Sequence, residues 1–223
     1  MKMMLKNDFQ KKGAETLGEI WELIAKLPEQ QLNNLPAGQT ALVMIDLVNG
    51  FARQGALHSS RVAELIPEII RLIKACRELA IPILAFADCH TEKCPEFDVY
   101  PVHCLAGTLE GELVDEVKTV GGYTLILKNS TNGFLEEDFQ KWLQENPRMT
   151  NFIITGDCTD ICIQQFAITL KTWFNLHDKK ARIIVPANAV ETYDLGVHNA
   201  DLMNMLALYN MLGNGIEVVQ AIG

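Results

Sequence analysis

The sequence predicts a three-layer α/β/α fold built on a mostly parallel, six-stranded sheet. From residue 39 onward, short apolar runs alternate with longer segments of helical spacing. The runs ALVMI and FIIT are continuously apolar, as expected for strands that helices cover on both faces. Regular alternation of strands and helices implies right-handed crossovers, which place parallel strands side by side.

Six segments have the length and composition of strands, and helical patterns lie between them. The predicted strands are residues 40–46, 82–88, 124–128, 152–155, 182–185 and 216–220. The predicted helices are residues 61–79, 136–145, 161–176 and 197–212, with a weaker pattern near 110–119. Ahead of this domain, apolar residues at helical spacing predict an amphipathic helix over residues 14–27. We therefore divide the chain into an N-terminal helical extension, residues 1–38, and one α/β domain, residues 39–223.

Composition and charge restrict the class of partner. With 223 residues, the chain can bury about 70% of its unfolded surface, enough for one sizeable core. Its 19 basic and 28 acidic side chains give a net charge of −9, which disfavours nucleic acid as a partner. The N-terminal segment MKMMLKNDFQKKG lacks the apolar core of a signal peptide, so we expect a cytoplasmic protein that binds no membrane. We also expect a homo-oligomer, with the N-terminal helix packed on its own domain or on a second subunit.

Reactive side chains follow the predicted strands. Ligands bind beyond the carboxyl ends of the strands in an open parallel sheet, so chemistry is expected there. Asp46 ends the first strand and Lys128 ends the third, while Cys158 and Cys162 lie where the fourth strand leads into a helix. Alone, each residue has an ordinary explanation, such as a turn acid or a small buried thiol. Together they favour nucleophilic catalysis by a cysteine.

The three residue types complement one another chemically. A helix N-terminus and a nearby ammonium group stabilise a thiolate, so we expect the cysteine pKa to fall below its ordinary value of about 8.5. A carboxylate can accept the thiol proton and later return it to the leaving group. The chain has neither a GxGxxG nor a GxxxxGK[ST] pattern, so phosphate-binding loops of those types are not expected.

Three strings around these residues, ALVMIDLVNGF, ILKNSTNGF and ITGDCTDICI, resemble the motifs of the isochorismatase-like cysteine hydrolases. The similarity covers about residues 39–223 and implies the Rossmann-like fold of that family. It also implies a catalytic triad of Asp46, Lys128 and Cys162, which selects Cys162 over Cys158 as the nucleophile. By the same resemblance, the Asp157–Cys158 peptide bond is cis, and the backbone N–H groups of Cys158 and Cys162 form an oxyanion hole.

The segment AFADCHTEKCPEFDVYPVHC is rich in side chains that bind metals. A zinc site of cysteines and histidines is one interpretation; its candidates are Cys89, His90, Cys94, His103 and Cys104. However, if the strand stays extended to residue 90, Asp88 and His90 share one face and Cys89 points away. We therefore predict a site of oxygen and nitrogen ligands: Asp88, His90, Glu96 and His103. Asp98 replaces Glu96 if the loop register differs. Such a set suits one divalent ion, zinc first, with manganese or iron as alternatives.

This loop extends the resemblance to the nicotinamidases, whose pattern has an Asp-x-His pair, a further ligand and an aromatic-Pro-x-His turn. In that family the metal binds the pyridine nitrogen of the substrate, which implies that Phe51 and Tyr100 sandwich the ring. We thus predict a metal-dependent cysteine amidohydrolase, a nicotinamidase that forms nicotinate and ammonia through a thioester. The alternatives are hydrolysis of another small amide or ureido compound, a non-catalytic binding protein, and isochorismatase activity.

Overall fold

Seven parallel strands form one sheet in the computed structural model, which describes residues 5–223. The strands are β1 (Thr40–Ile45), β2 (Ile83–Asp88), β3 (Thr124–Lys128), β4 (Asn151–Asp157), β5 (Arg182–Pro186), β6 (Val190–Glu191) and β7 (Glu217–Val219). Their spatial order is β3-β2-β1-β4-β5-β7, and β6 pairs with the end of β4. The predicted fold class is therefore confirmed. The predicted count of six strands is wrong by one, because two residues are too few to produce a periodic pattern.

Eight α-helices lie within the described residues. They are α1 (Lys6–Ile24), α2 (Asn49–Ala52), α3 (Ser60–Glu64), α4 (Ile66–Glu78), α5 (Asp115–Val120), α6 (Glu137–Glu145), α7 (Gln164–Leu176) and α8 (Ala200–Gly213). The single helix predicted over residues 61–79 is divided into α3 and α4, with Pro67 in the first turn of α4. The helix predicted over 161–176 begins with a π-helical turn, Thr159–Ile163, before α7. The first helix begins eight residues earlier than the predicted range and ends three residues earlier.

Helices cover both faces of the sheet, so alternate strand residues enter two separate cores. Met44 of β1 packs in the core that includes residues of α4 and α5, such as Ile69 and Val117. Val43, its neighbour, packs in the core that includes residues of α7 and α8. Every residue of β1, β2 and β4 is buried, which explains the apolar runs within these strands.

The segment before the sheet is attached to the C-terminal part of the chain. Helix α1 contacts α8, and Ile20 is its one buried residue among those described. The backbone N–H groups of Gln30 and Leu32 donate hydrogen bonds to the carbonyls of Ala221 and Gly223. None of the helices between residues 5 and 223 combines the length and the apolar character that a membrane span requires.

Candidate active site

The carboxyl ends of four neighbouring strands bring the predicted catalytic residues together. Asp46 directly follows β1, Lys128 ends β3, and Cys162 lies in the π-helical turn after β4. The register pairs Asp88 of β2 with Lys128, so the predicted metal ligand and the predicted lysine lie side by side. Their relative exposure is 0% for Asp46, 3% for Asp88, 1% for Lys128 and 6% for Cys162. The result is a buried ionic cluster at the edge where parallel sheets bind ligands.

Lys128 contacts every other member of this cluster. Its Nζ lies 2.8 Å from Asp46 Oδ2 and 3.7 Å from Cys162 Sγ. It also donates hydrogen bonds to Asp88 Oδ1 and, at 3.2 Å, to the carbonyl of Ser130. Burial alone would lower the pKa of Lys128, but the carboxylates of Asp46 and Asp88 hold it well above its ordinary value. The lysine is therefore a fixed positive charge beside the sulfur.

The acid and the thiol both hold their protons more tightly than exposed groups do. Burial raises the pKa of Asp46 to about 7, Asp88 adds to the effect, and Lys128 opposes it. Burial also raises the pKa of the Cys162 thiol well above its ordinary value, although Lys128 lowers it. The expected depression of the cysteine pKa is thus wrong for this buried site, because desolvation outweighs the ammonium charge. The resting cysteine is a thiol and needs a base.

Tight backbone packing places Asp46 and the start of the cysteine turn. Gly156 has φ of +114°, and a Cβ there would lie 1.8 Å from the carbonyl oxygen of Ile45, so only glycine fits. Asp46 itself has φ of +57°, which ends β1 and turns the chain. The Asp157–Cys158 bond is cis, as predicted. The two neighbouring thiols have different partners. Cys158 Sγ lies 3.8 Å from Asp157 Oδ2, whereas Cys162 Sγ lies beside Lys128.

Three of the four predicted metal ligands form one group. Asp88, His90 and His103 offer ligand atoms that all lie within 4.8 Å of one another. His103 Nδ1 lies 2.8 Å from the carbonyl oxygen of Pro101, which accepts a hydrogen bond from Nδ1–H, so the neutral imidazole has its lone pair on Nε2. His90 is fully buried, and neither of its ring nitrogens has a hydrogen-bond partner among residues 5–223, although Nε2 is 3.4 Å from Asp88 Oδ1. Buried unpartnered nitrogens beside a carboxylate fit a divalent cation.

The fourth predicted ligand, Glu96, belongs to a second group that shares His90. That group also contains Cys94, which is 5% exposed and lies outside the predicted set of oxygen and nitrogen ligands. Glu96 Oε1 accepts a hydrogen bond of 2.8 Å from the backbone N–H of Thr131. Asp98, the alternative to Glu96, is in neither group of the described residues. Glu96 and Cys94 therefore lie within ligand distance of His90, whereas Asp98 contributes to neither group among the described residues.

A pocket opens onto Cys162 between aromatic side chains. Phe51 and Tyr100, both predicted to contact a substrate, line it together with Tyr193, which the sequence did not indicate. Its remaining lining residues are Leu57, Asp88, Glu96, His103, Thr131, Cys158, Ile161 and Cys162. Tyr193 follows β6, the strand missed by periodicity, so its only signal was an aromatic residue after an apolar run. The pocket thus joins the candidate nucleophile, the candidate metal ligands and three aromatic rings.

Comparison with known proteins gives a family match and similar folds. Residues 40–215 match the Isochorismatase domain. The chain is 31% identical over 210 residues to Nicotinamidase 1 of Arabidopsis thaliana, covering 81% of this chain and 85% of that protein. The crystal structure of nicotinamidase PncA from Bacillus subtilis has a TM-score of 0.69 at 24% identity and covers 81% of this chain and 99% of its own. The pyrazinamidase of Pyrococcus horikoshii, solved in complex with zinc, has a TM-score of 0.68 at 24% identity, with coverage of 82% and 99%.

The chain belongs to the isochorismatase family. The matched segment, residues 40–215, includes the buried ionic cluster, both candidate metal groups and the aromatic pocket.

Proposed function

We propose that this member of the isochorismatase family is a metal-dependent cysteine amidohydrolase that converts nicotinamide and water to nicotinate and ammonia. The observation that carries the proposal is the position of Lys128 Nζ, which contacts Asp46, Cys162 and Asp88 within one buried cluster. The 31% identity to Nicotinamidase 1 supports a small amide, and nicotinamide in particular, as the substrate.

Asp46 serves as the base for the thiol. Because the pKa of Cys162 is raised, the sulfur reacts only after its proton moves to the Asp46 carboxylate. The Asp46 pKa of about 7 suits this exchange, since a catalytic acid–base group works best near the ambient pH. The thiolate then attacks the amide carbonyl carbon, the C–N bond breaks, and Asp46 gives its proton to the departing ammonia. A thioester on Cys162 remains.

The second half of the reaction uses the same carboxylate. Asp46 takes a proton from water as that water attacks the thioester, and the proton returns to Cys162 Sγ when the acid leaves. Throughout, the Lys128 ammonium compensates negative charge on Asp46 and on the sulfur, because its Nζ lies 2.8 Å and 3.7 Å from them. The backbone N–H groups of Cys158 and Cys162 would stabilise the oxyanion, a contribution of about 3–4 kcal/mol per donor.

Asp88, His90 and His103 would hold the divalent ion, with Glu96 as a fourth ligand. When bound, such an ion supplies an open coordination position for a ring nitrogen, which would orient the amide of a pyridine substrate. The ring centroid of Phe51 lies 5.6 Å from that of His103, and the ring centroid of Tyr100 lies 6.2 Å from it. Their faces can stack on a flat ring. Zinc is the ion we propose first, since two imidazoles and two carboxylates suit it.

Ammonia release from nicotinamide and from benzamide tests the assignment. Benzamide has the same shape but lacks the ring nitrogen, so it should be a much poorer substrate of the zinc-loaded protein. Chelation should suppress nicotinamide hydrolysis, and added zinc, manganese or iron should restore it. Equal turnover of the two amides by metal-free protein would exclude the nicotinamidase and leave a cysteine hydrolase. The same assay should be run on a panel of other small amides and ureido compounds. If only the ureido compounds release ammonia, the proposed substrate class is wrong. No release from any compound would favour a binding protein.

A further inference from the structure

Tyr193, the third aromatic residue of the pocket, is fixed by a histidine that does not line the pocket itself. The rings of Tyr193 and His198 stack with centroids 4.1 Å apart and planes 9° apart. Both residues lie in the loop between β6 and α8, residues 192–199. The loop turns back on itself through paired backbone hydrogen bonds between Leu195 and His198. Tyr193 is half-buried and faces the cavity that contains Cys158, Ile161 and Cys162.

The partners of His198 determine its protonation state. Its Nδ1 lies 2.8 Å from the backbone carbonyl of Tyr193, and its Nε2 lies 2.8 Å from Asp160 Oδ2. A carbonyl and a carboxylate only accept hydrogen bonds, so both ring nitrogens must donate. A histidine that donates from both nitrogens is a cation, and this cation lies parallel to an aromatic face.

Asp160 connects His198 to the turn that carries the candidate nucleophile, and we call the His198–Asp160 pair the clamp. It belongs to the same π-helical turn as Cys162, Thr159–Ile163, and lies two residues before it. The His198–Asp160 pair therefore links the loop that carries Tyr193 to the turn that carries the Cys162 sulfur. The contact joins residues 38 positions apart in the sequence, so local backbone structure alone does not account for it.

We propose that Tyr193 is a specificity-determining wall for flat aromatic amides and that His198, held by Asp160, is the residue that positions it. This proposal rests on the proposed amidohydrolase function and adds a third ring to Phe51 and Tyr100. Its role is in binding: the wall orders the ring of the substrate, whereas Asp46, Lys128 and Cys162 carry out the chemistry. Loss of the wall should therefore raise KM for an aromatic amide more than it lowers kcat.

Paired substitutions separate the wall from general packing. Tyr193→Leu should raise KM for nicotinamide about tenfold, the value of one aromatic stacking interaction, with kcat within about twofold. Tyr193→Phe keeps the ring and should restore KM to within about twofold of the unchanged protein. His198→Ala should raise KM about fivefold through the released ring. His177→Ala is the matched control. The ring centroid of His177 lies 4.3 Å from that of Trp173, so this histidine also packs on an aromatic ring, but it lies outside the loop of residues 192–199.

Hydrogen–deuterium exchange tests the clamp independently of any substrate. In His198→Ala, amides of residues 192–199 should exchange faster, while those of the His177→Ala protein should exchange there as in the unchanged protein. Unchanged exchange in this loop would overturn the positioning role of His198. Unchanged KM in Tyr193→Leu, or equal losses in the Leu and Phe variants, would overturn the wall. If nicotinamide is not a substrate, the proposed function fails, and the same KM comparison is made with the amide of the panel that is hydrolysed.

Discussion

The site has a catalytic half, which contains Asp46, Lys128 and Cys162, and a metal half, which contains the predicted metal ligands. The two halves are joined by the hydrogen bond from Lys128 to Asp88, but they are constructed differently. Asp46, Lys128 and Cys162 lie on strand ends or on the turn after a strand, where sheet register sets their positions. Of the four predicted metal ligands, Asp88 also ends a strand, but His103 and Glu96 lie on the connection between β2 and α5, which consists of short 3₁₀ turns and irregular segments. The comparison indicates that a rigid frame positions the proposed reacting groups, whereas proposed metal ligands can come from a loop because a bound ion would help to order them.

Removal of the nucleophile should have the largest effect and should distinguish the two neighbouring cysteines. Cys162→Ala should lower kcat by on the order of 10⁴-fold or more, because Cys162 is the one thiol in contact with Lys128 among residues 5–223. Cys158→Ala, the matched control, should retain substantial turnover, since only its backbone N–H is assigned a role. Ammonia release measures both variants. Loss of activity on changing Cys158 alone would reverse the assignment of the nucleophile.

The acid–base role of Asp46 should appear in the pH profile. The carboxylate accepts the proton only when ionised, and burial raises its pKa to about 7. We therefore expect kcat/KM to fall as the pH decreases through about 7 and to level off above it. Asp46→Asn should lower kcat by about 10²–10⁴-fold and remove this limb from the residual activity. A limb that persists unchanged in the variant would assign the titration to another group.

Lys128 should matter for stability as well as for catalysis, which distinguishes the buried ionic cluster from the metal ligands on the loop. Lys128→Met removes the ammonium that lies between the buried carboxylates of Asp46 and Asp88. Loss of one member of a buried ionic group typically costs about 3–5 kcal/mol. Urea unfolding should show a decrease of this size in the free energy of unfolding. A Lys171→Met control, which changes a partly exposed lysine bonded to the Ala181 carbonyl, should cost far less.

Single substitutions among the proposed metal ligands should have smaller effects than those in the buried ionic cluster. Glu96→Ala should weaken zinc retention by about 10–100-fold, measured by competition with a chelator, because one ligand of several is lost. Asp98→Ala is the control on the same 3₁₀ turn and should retain zinc as the unchanged protein does. Cys94→Ser should weaken retention less than Glu96→Ala. A larger effect of Cys94 than of Glu96 would identify the thiol as the ligand.

The same contrast explains which features were predictable from the sequence. Parallel strands bring their carboxyl ends to one edge, so the meeting of Asp46, Lys128 and the two cysteines at that edge was predictable, and the family resemblance selected Cys162. The link between Lys128 and Asp88 required the register of β2 against β3, which no periodicity reports. The position of Cys94 beside His90 depends on the path of the loop, which the sequence pattern does not report. Tyr193 was missed because the two-residue strand before it is recognised only through its pairing with β4.

The electrostatics of the cluster could not be predicted either. A helix start and a lysine predicted a lowered cysteine pKa, but the degree of burial decides the sign, and burial depends on packing from both cores. In the proposed mechanism, Asp46 therefore serves as the base for this buried thiol.

Trapping of the acyl-enzyme tests the central claim most directly. The protein should be mixed with nicotinamide, quenched in acid within the first turnover, and digested for peptide mass spectrometry. Our account predicts a nicotinoyl thioester on the peptide that contains Cys162, located at that sulfur by fragmentation. It also predicts no such adduct in Cys162→Ala and an intact one in Cys158→Ala. Hydrolysis of nicotinamide without any acylated cysteine, or with the acyl group on Cys158, would contradict the account.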